Sequence, residues 1–336
     1  MKDTCEGRYE AVEIRAIKVH GSSNDFYLID EMSRELAITE EERSALSLAV
    51  CKRTGEDGAD GILFVQASNT ADAKMRVFNA DGTEASMCGN GLRCVGRYVS
   101  EKLGKDELII ETMKADLAVK REPEIYQDIP TFRVEISPVL KSTKALPMNT
   151  EKDEIIQERL PFLDDELIFT TLSVPNPHLV SIVSQEVLAS DKQEKIAKYV
   201  NGENEWFPDG VNVSFINVMS DKDIFVRTYE RGVGFTNACG TAMSASSLVT
   251  KWERSLEDEV LLNVYNPGGM VKCQVHDMPE KTWIDLIGNA TYEYKQTITV
   301  DLKHREVQFG NKEIHEEEVA AYHAFVNHVK EIVGAI

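Results

Sequence analysis

An internal repeat constrains the fold of this chain more than any other feature of its sequence. The stretches Phe78–Leu92 and Tyr229–Met243 each end a β-type run at a polar residue, and nine positions after that residue each has a Cys-Gly pair that opens a helical pattern. The two cysteines, Cys88 and Cys239, stand 151 positions apart. Because such a repeat arises when a chain contains two copies of one substructure, it predicts two pseudo-symmetric halves that face each other.

The same offset, or an offset of 152, aligns further residues of the two halves. Arg76 aligns with Arg227, and the turn that begins at Gly58 aligns with the turn that begins at Asp209. Short β-type runs and amphipathic helical patterns follow each other in a similar order in both halves. We therefore predict an α/β (α+β) fold of two domains from an internal duplication, with the active site in the cleft between them.

The predicted domain boundaries follow from this repeat. Residues 1–138 form the first half, which we expect returning strands from 286–300 to complete, and residues 139–285 form the second half. Residues 301–336 lie outside the repeat as a helical extension, in which the apolar stripe of Glu316–Val333 predicts an amphipathic helix.

Three further helices are predicted from local patterns. Residues 38–53 form an amphipathic pattern, in which Thr39 is the expected N-cap and Glu42 completes a capping box. Shorter helical patterns occupy residues 153–159, in the segment that links the two halves, and residues 185–201.

Composition and charge exclude several classes of partner. The 336 residues carry a net charge of −20, so nucleic acid or an anionic membrane surface would repel the protein. No apolar run reaches the roughly 18–20 residues that a membrane-spanning helix needs, and we expect a cytoplasmic protein. In that reducing compartment the six cysteines are expected to form no disulfide, and their spacing contains no zinc motif.

A cysteine at the start of a helix is suited to acid–base chemistry. The positive end of the helix dipole and the free N–H groups there favour a thiolate, and the glycines that follow let a ligand approach the backbone. Two such helix ends on one cleft would hold a carboxylate, with one sulfur on each side of the neighbouring carbon. Since inverting a carbon centre requires two opposed acid–base groups, the pair predicts stereoinversion next to a carboxylate.

The two cysteine motifs resemble those of diaminopimelate epimerases. The resemblance is carried by Phe78–Gly82 with Met87–Gly91 and by Glu230–Gly234 with Ala238–Thr241. It covers roughly residues 14–295 and includes the motifs Ser23–Phe26, Gly58–Gly61, Asn176–His178 and Val211–Val213. It implies a barrel-like mixed sheet around a central helix in each domain. It also implies an enzyme that interconverts LL- and meso-diaminopimelate without a cofactor, in lysine and peptidoglycan biosynthesis.

The resemblance also implies roles for individual residues. It makes Cys88 and Cys239 the acid–base pair. The residues implied to hold the reacting carboxylate are Gly89, Asn90, Gly240 and Thr241, and those at the cleft floor are Asn79 and Glu230, of which Glu230 takes the ammonium group. The far end of the substrate is implied to bind Asn24, Asn176, Asn212 and Arg231, with His178 in support. Carboxamides both donate and accept, and a guanidinium binds a carboxylate, so this set suits a ligand with a zwitterion at each end.

The chain departs from the family pattern at three places, and these leave the amino-acid substrate open. Phe235 stands where glutamate is common, Ala242 where glycine is common, and Lys114–Asp116 where the motif often ends in glycine. The alternative hypothesis is another cofactor-free amino-acid racemase, such as a histidine racemase. A cysteine hydrolase using Cys239 and His178 would leave the duplicated Cys-Gly pair unexplained. We find no motif for a metal, pyridoxal phosphate or a nicotinamide cofactor, and association into a homodimer stays open.

Overall fold

The computed structural model describes residues 11–33, 36, 38–55 and 57–334. The helices are α1 (Glu40–Val50), α2 (Gly89–Leu103), α3 (Gln185–Ala189), α4 (Lys192–Val200), α5 (Gly240–Arg254) and α6 (Glu316–Val333), with one 3₁₀ turn at Thr143–Ala145. The strands are β1 (Val12–Gly21), β2 (Asn24–Asp30), β3 (Gly61–Gln66), β4 (Ala73–Asn79), β5 (Glu84–Ala85), β6 (Glu107–Glu111), β7 (Asp116–Glu122), β8 (Thr131–Ile136), β9 (Glu158–Arg159), β10 (Ile168–Ser173), β11 (Pro177–Ile182), β12 (Asn212–Val218), β13 (Asp223–Glu230), β14 (Gly234–Thr236), β15 (Leu261–Asn266), β16 (Gly269–Asp277), β17 (Thr282–Asn289), β18 (Thr291–Asp301), β19 (Glu306–Phe309) and β20 (Glu313–Ile314).

The order of strand pairing repeats between the two halves of the chain. In the first half β1 and β2 are antiparallel, β2 and β3 parallel, β3 and β4 antiparallel, β4 and β6 parallel, and antiparallel pairs continue through β7 to β8. In the second half β10, β11, β12, β13, β15, β16 and β17 pair with the same sequence of directions. β8 also pairs with β17, which joins the two sheets. The predicted mixed α/β fold with two similar halves is confirmed.

Each sheet wraps around one central helix. α2 packs against every strand from β1 to β8 except the short β5, and α5 packs against β10 to β13 and β15 to β17. Small side chains let the strands approach: a Cβ at Gly96 of α2 would come 2.3 Å from Val119 Cγ1. α5 instead buries serines, and the hydroxyls of Ser244 and Ser247 donate to the carbonyls four residues earlier, which satisfies them without a partner from the sheet.

The N-terminal helix α1 forms as predicted. Thr39 Oγ1 accepts a hydrogen bond from the Glu42 N–H at 3.2 Å, and Glu42 Oε2 accepts one from the Thr39 N–H at 2.7 Å. This reciprocal pair confirms the capping box. Cys51, which ends the helix, is buried in the core between α1 and the β1–β3 strands.

Two predicted helices of the second half are wrong or incomplete. Residues 153–159 contain no helix, because β9 pairs with β10 and Glu154 forms a bridge with Ser142. Such long-range pairing is absent from local spacing and overrides it here. The helix predicted over 185–201 is two helices, α3 and α4. The break is at Ser190, whose ψ of 177° is extended and whose hydroxyl accepts the N–H two residues later.

The C-terminal segment contains more than the predicted helix. β18 pairs antiparallel with β1, and β19 and β20 then pair with β18 before α6 begins. α6 buries Tyr322, Phe325 and Val329, members of the predicted apolar stripe. Glu318 accepts two hydrogen bonds from Arg97 of α2 at 2.6 and 2.8 Å. The boundaries of the two domains stay a prediction.

No helix in the described ranges is both long enough and apolar enough to cross a membrane.

Candidate active site

Cys88 and Cys239 occupy equivalent places, each as the N-cap of a central helix. Cys88 precedes α2 with φ −144° and ψ 111°, and Cys239 precedes α5 with φ −127° and ψ 110°. This extended backbone turns an N-cap side chain toward the first free N–H groups of its helix. Cys88 Sγ accepts a hydrogen bond from the Gly91 N–H at 3.4 Å, and Cys239 Sγ lies 3.4 Å from Thr241 Oγ1.

The N-termini of α2 and α5 meet at one place. A Cβ at Gly240 would stand 2.9 Å from Leu286 Cδ2 and 3.5 Å from Asn90 Oδ1, and a Cβ at Gly89 would stand 3.2 Å from the same Leu286 methyl. Leu286 belongs to β17, the strand that joins the two sheets. The two predicted Cys-Gly turns are therefore neighbours in space, and we call the space between these two helix ends the interlobe cleft.

Asn24 belongs to the Cys88 side of the cleft. Its Oδ1 accepts a hydrogen bond from Asn90 Nδ2 at 3.3 Å and lies 3.7 Å from Cys88 Sγ, whose thiol points at it. Its Nδ2 donates to Asp60 Oδ2 at 2.7 Å. The turn between β1 and β2 thus positions an amide oxygen next to the first cysteine.

Asn79 and Glu230 lie at equivalent strand ends, as the repeat predicts. Asn79 ends β4 and its Nδ2 donates to Thr83 Oγ1 at 3.0 Å. Glu230 ends β13 and its Oε1 accepts a hydrogen bond from Thr236 Oγ1 at 2.5 Å. The charge of the Glu230 carboxylate raises the pKa of both cysteine thiols.

The remaining predicted binding residues form a second group on β11, β12 and the turn after β13. His178 Nε2 lies 2.8 Å from Asn176 Oδ1, and His178 pairs with Asn212 across the parallel β11–β12 ladder. Asn212 Oδ1 accepts a hydrogen bond from the Arg231 N–H at 2.9 Å. Arg231 Nη1 donates to the Asp209 carbonyl at 2.9 Å. The structure thus brings these four residues together.

His178 makes its side-chain contact with Asn176. It is fully buried, and burial lowers the pKa of its imidazole to about 3. A neutral ring that donates from Nε2 to Asn176 Oδ1 leaves the Asn176 NH₂ group available to another acceptor. Its Nδ1 is buried without a hydrogen-bond partner among the described residues.

Burial is the largest influence on the pKa values of the two cysteine thiols. It raises the pKa of the Cys88 thiol, although the N–H groups of Gly91 and Asn90 act in the opposite direction. Burial, and after it the charge of Glu230, holds the pKa of the Cys239 thiol well above its ordinary value. Burial also raises the pKa of Glu230 itself. The N–H groups at the helix ends therefore favour the thiolates as expected, and desolvation opposes them.

The three departures from the family pattern lie in different surroundings, and Ala242 is in the first turn of α5, where its backbone N–H acts on the Cys239 sulfur. Phe235 is exposed and packs edge-on against the Tyr229 ring, with centroids 5.2 Å apart, so it lies on the face of the β13–β14 hairpin opposite to Glu230. Ala242 is buried inside α5 against the core. The segment 114–116 forms the turn between β6 and β7, where Lys114 and Asp116 are exposed.

Two polar residues at this site were not among the predicted ones. Asp60 holds the amide of Asn24, and Arg93 Nη2 donates to Asn90 Oδ1 at 3.0 Å. Arg93 could have been found from its spacing, since residues three apart on a helix share a face and Arg93 follows Asn90 by three. Asp60 lies within the Gly58–Gly61 motif, but nothing in the sequence linked it to Asn24, its partner 36 positions away.

The described residues contain no group of three or more His, Cys, Asp or Glu side chains placed to hold a metal ion.

Solved structures with the same arrangement define the class of fold. The superposition with a Bacillus anthracis phenazine biosynthesis protein of the PhzF family covers 85% of this chain and 99% of that protein, with a TM-score of 0.61 at 19% identity. The superposition with a hydroxyproline epimerase from Agrobacterium vitis covers 86% of this chain and 93% of that protein, with a TM-score of 0.56 at 13% identity. The fold, with its two helix-centred sheets, is that of the PhzF and proline-racemase class.

Sequence comparison then gives the family. The profile described as diaminopimelate epimerase matches residues 16–129 and 170–293. A diaminopimelate epimerase of Listeria monocytogenes serotype 4a (strain HCC23) is 48% identical, over 95% of this chain and 98% of its own length. The diaminopimelate epimerase of Clostridium acetobutylicum (strain ATCC 824) is 44% identical, over 95% of this chain and 96% of its own length. The chain belongs to the diaminopimelate epimerase family, as its motifs predicted.

Proposed function

We propose that this chain is an isomerase that interconverts LL- and meso-diaminopimelate, with Cys88 and Cys239 as the two acid–base groups. The observation that carries the proposal is the meeting of two cysteine-capped helix N-termini at one cleft. Family membership supports the substrate, since the relatives that match over most of this chain are named diaminopimelate epimerases. The reaction needs no group that the chain itself does not supply.

The proton transfer uses one thiolate and one thiol. The thiolate takes the proton from the α-carbon on one face, and the electron pair of that C–H bond remains on the carbon and the adjoining carboxylate. The opposing thiol then delivers its proton to the other face. The enzyme is left with the thiolate and the thiol exchanged, so the same machinery runs the reverse reaction.

The N–H groups at the two helix ends stabilise the negative charge that develops on the substrate carboxylate. Backbone N–H groups of Gly89, Asn90, Gly240 and Thr241 belong to the first turns of α2 and α5, where no carbonyl within the helix accepts from them. Donors held in place before the reaction stabilise such charge without reorganisation. We assign the reacting carboxylate to this position for that reason.

Glu230 links binding of the substrate amine to the state of Cys239. We propose that the reacting ammonium group binds the Glu230 carboxylate, with Asn79 on the opposite side of the cleft floor. The charge of Glu230 is one cause of the high pKa of the Cys239 thiol. An ammonium group would neutralise that charge, so the pKa of Cys239 would fall when substrate binds. The thiolate would then form in the complex and not in the free enzyme.

The far end of the substrate meets the second group of polar residues. Asn176 and Asn212 offer amides and Arg231 offers an exposed guanidinium next to Glu230. This set can bind the second carboxylate and ammonium of diaminopimelate. Asn24 already makes hydrogen bonds at the Cys88 side, and its contribution to the far end stays a prediction.

Solvent isotope exchange tests the function directly. In D₂O the protein should incorporate one deuterium at the α-carbon of LL-diaminopimelate and produce the meso isomer, as followed by mass spectrometry and NMR. Histidine, proline and lysine serve as matched substrates. Exchange into histidine or proline in place of diaminopimelate would favour the alternative racemase, and exchange into none of them would contradict the proposal. Activity should survive dialysis against a chelator.

Location and assembly are the remaining parts of the proposal. We infer a cytoplasmic protein, which the five described cysteines support because all of them are free thiols. Association into a homodimer stays a prediction from the sequence. Sedimentation velocity over a tenfold range of protein concentration would separate a monomer from a dimer.

A further inference from the structure

Arg93 is the largest fully buried side chain among the described residues. It lies on α2 one turn after the cysteine end of the helix. In the ranges that the structure describes, no carboxylate pairs with its guanidinium. Arg97, one turn further along the same helix, instead pairs with Glu101 and Glu318. Since buried charges are normally paired, an unpaired arginine at this place requires an explanation.

The hydrogen-bond acceptors around Arg93 are all neutral. Nε donates to the Asn289 carbonyl at 3.0 Å, and Nη2 donates to Ser22 Oγ at 3.2 Å and to Asn90 Oδ1 at 3.0 Å. Nη1 is buried and has no partner in the described residues. These contacts fix the orientation of the guanidinium but leave its charge without a counter-ion.

Two glycines make room for this guanidinium. A Cβ at Gly21 would come 2.8 Å from Arg93 Nη2, and a Cβ at Gly288 would come 3.2 Å from Arg93 Cζ. Any other residue at these positions would displace the side chain or the strands. The pocket is therefore shaped for arginine, which argues against a side chain buried by chance.

The titratable groups that face the guanidinium are neutral at pH 7, apart from one thiol whose charge can change. Burial lowers the pKa of His20 on β1 to about 4, and raises the pKa of Cys94 on α2, Cys273 on β16 and Tyr322 on α6 to about 12. The exception is Cys88 on α2, whose thiol can ionise to a thiolate. The positive charge lowers the pKa of that thiol against the effect of burial.

We infer that Arg93 is a positioning residue of the interlobe cleft, which orients Asn90 and keeps a positive charge beside the α2 end where an anion forms. Because Nη2 donates to Asn90 Oδ1, the Asn90 NH₂ group must face Asn24, whose oxygen in turn faces the Cys88 thiol. The anion is the Cys88 thiolate or the carboxylate of a ligand. The second of these rests on the proposed function, and the first does not.

The charge of Arg93 can be tested by alkylation of the unliganded full-length protein. Iodoacetamide reacts with the thiolate, so the rate at pH 8 reports the thiolate fraction of each cysteine, as resolved by peptide mass spectrometry. Arg93→Gln should slow the alkylation of Cys88 about tenfold, as expected when a nearby opposite charge is lost, and leave Cys239 within about twofold. Arg93→Lys, which keeps the charge, should restore most of the Cys88 rate.

Arg97→Gln is the matched control, because it removes a buried arginine of the same helix whose charge is already paired. It should lower thermal stability without slowing Cys88 alkylation. An unchanged or faster Cys88 rate in Arg93→Gln would overturn the inference, as would equal slowing in Arg97→Gln. If Arg93→Gln does not fold, Arg93→Lys alone tests the orienting role. A wild-type rate of Cys88 alkylation with reduced kcat and unchanged KM upholds that role. An unchanged kcat overturns it. If the wild type exchanges no deuterium into diaminopimelate, the proposed function is refuted, but the alkylation rates still test the effect of Arg93 on Cys88.

Discussion

Gly240 of α5 faces Asn90 of α2 across the interlobe cleft, and a Cβ at Gly240 would stand 3.5 Å from the Asn90 Oδ1. The same Cβ would stand 2.9 Å from Leu286 Cδ2, so a side chain at Gly240 would press on β17, the strand that joins the two sheets. Because Gly240 directly follows Cys239, we expect a side chain at this position to displace the second thiol and to affect chemistry more than stability.

Gly240→Ala should lower kcat by about 10–100-fold, because displacement of a helix end by a fraction of an ångström misaligns a proton transfer. Steady-state kinetics and thermal unfolding would be measured together. Gly104→Ala is the control: Gly104 has φ +66° at the end of α2 with nothing within 4 Å of its Cβ position. It should cost about 1 kcal/mol of stability and leave kcat unchanged. If Gly240→Ala keeps wild-type kcat, the position of this helix end does not limit the proton transfer.

Cys88→Ala and Cys239→Ala should each abolish epimerisation, because each removes a proton donor or acceptor that no neighbour replaces. Groups of this kind contribute about 10²–10⁴-fold, and more when the step cannot proceed without them. Each single variant should still exchange the α-hydrogen of one stereoisomer with solvent deuterium, and the two variants should prefer opposite isomers. NMR of the recovered substrates measures both results.

Cys94→Ala is the matched control for these variants. Cys94 is fully buried in the hydrophobic core around α2, and it is not among the residues assigned to the cleft. It should remain active with some loss of stability, of about 1 kcal/mol. An inactive Cys94→Ala combined with an active Cys88→Ala or Cys239→Ala would show that the two-thiol mechanism is wrong.

Acid should destabilise the protein through His20, whose ordinary pKa of 6.5 falls to about 4 in the folded state because of burial. The unfolded state binds a proton first as the pH falls, so this stabilising contribution is complete above pH 6.5 and is lost toward pH 4. Between pH 7 and pH 5 the wild type should lose roughly 2 kcal/mol more than His20→Gln in urea unfolding. His323→Gln, at an exposed position of α6, should follow the wild type. Equal losses in the wild type and His20→Gln would contradict the prediction.

Phe235→Glu should leave KM and kcat for diaminopimelate within about twofold of the wild type, since surface substitutions away from a site have small effects. The Phe235 ring packs against Tyr229 on the face of the hairpin opposite to Glu230. Steady-state kinetics with both stereoisomers would measure this. A change in KM of tenfold or more would mean that this residue, at a place where the family commonly has glutamate, reaches the substrate.

Much of this protein was predictable because the deciding information is local. The capping box of Thr39 and Glu42 and the apolar stripe of α6 depend on residues three or four positions apart. The repeat of the Cys-Gly turns at Cys88 and Cys239 is also visible in the chain itself, and it predicted that two helix N-termini share a site.

Only the tertiary structure decided the features that depend on distant contacts. β9 replaced a predicted helix because its hydrogen-bond partners lie on β10, and Asp60 entered the site because Asn24 folds against it. The same holds for Arg93, whose missing counter-ion becomes apparent only when every neighbouring element is in place. The thiol pKa values are the clearest case: helix position, which the sequence by itself determined, favours the thiolate, and burial, which only packing creates, opposes it.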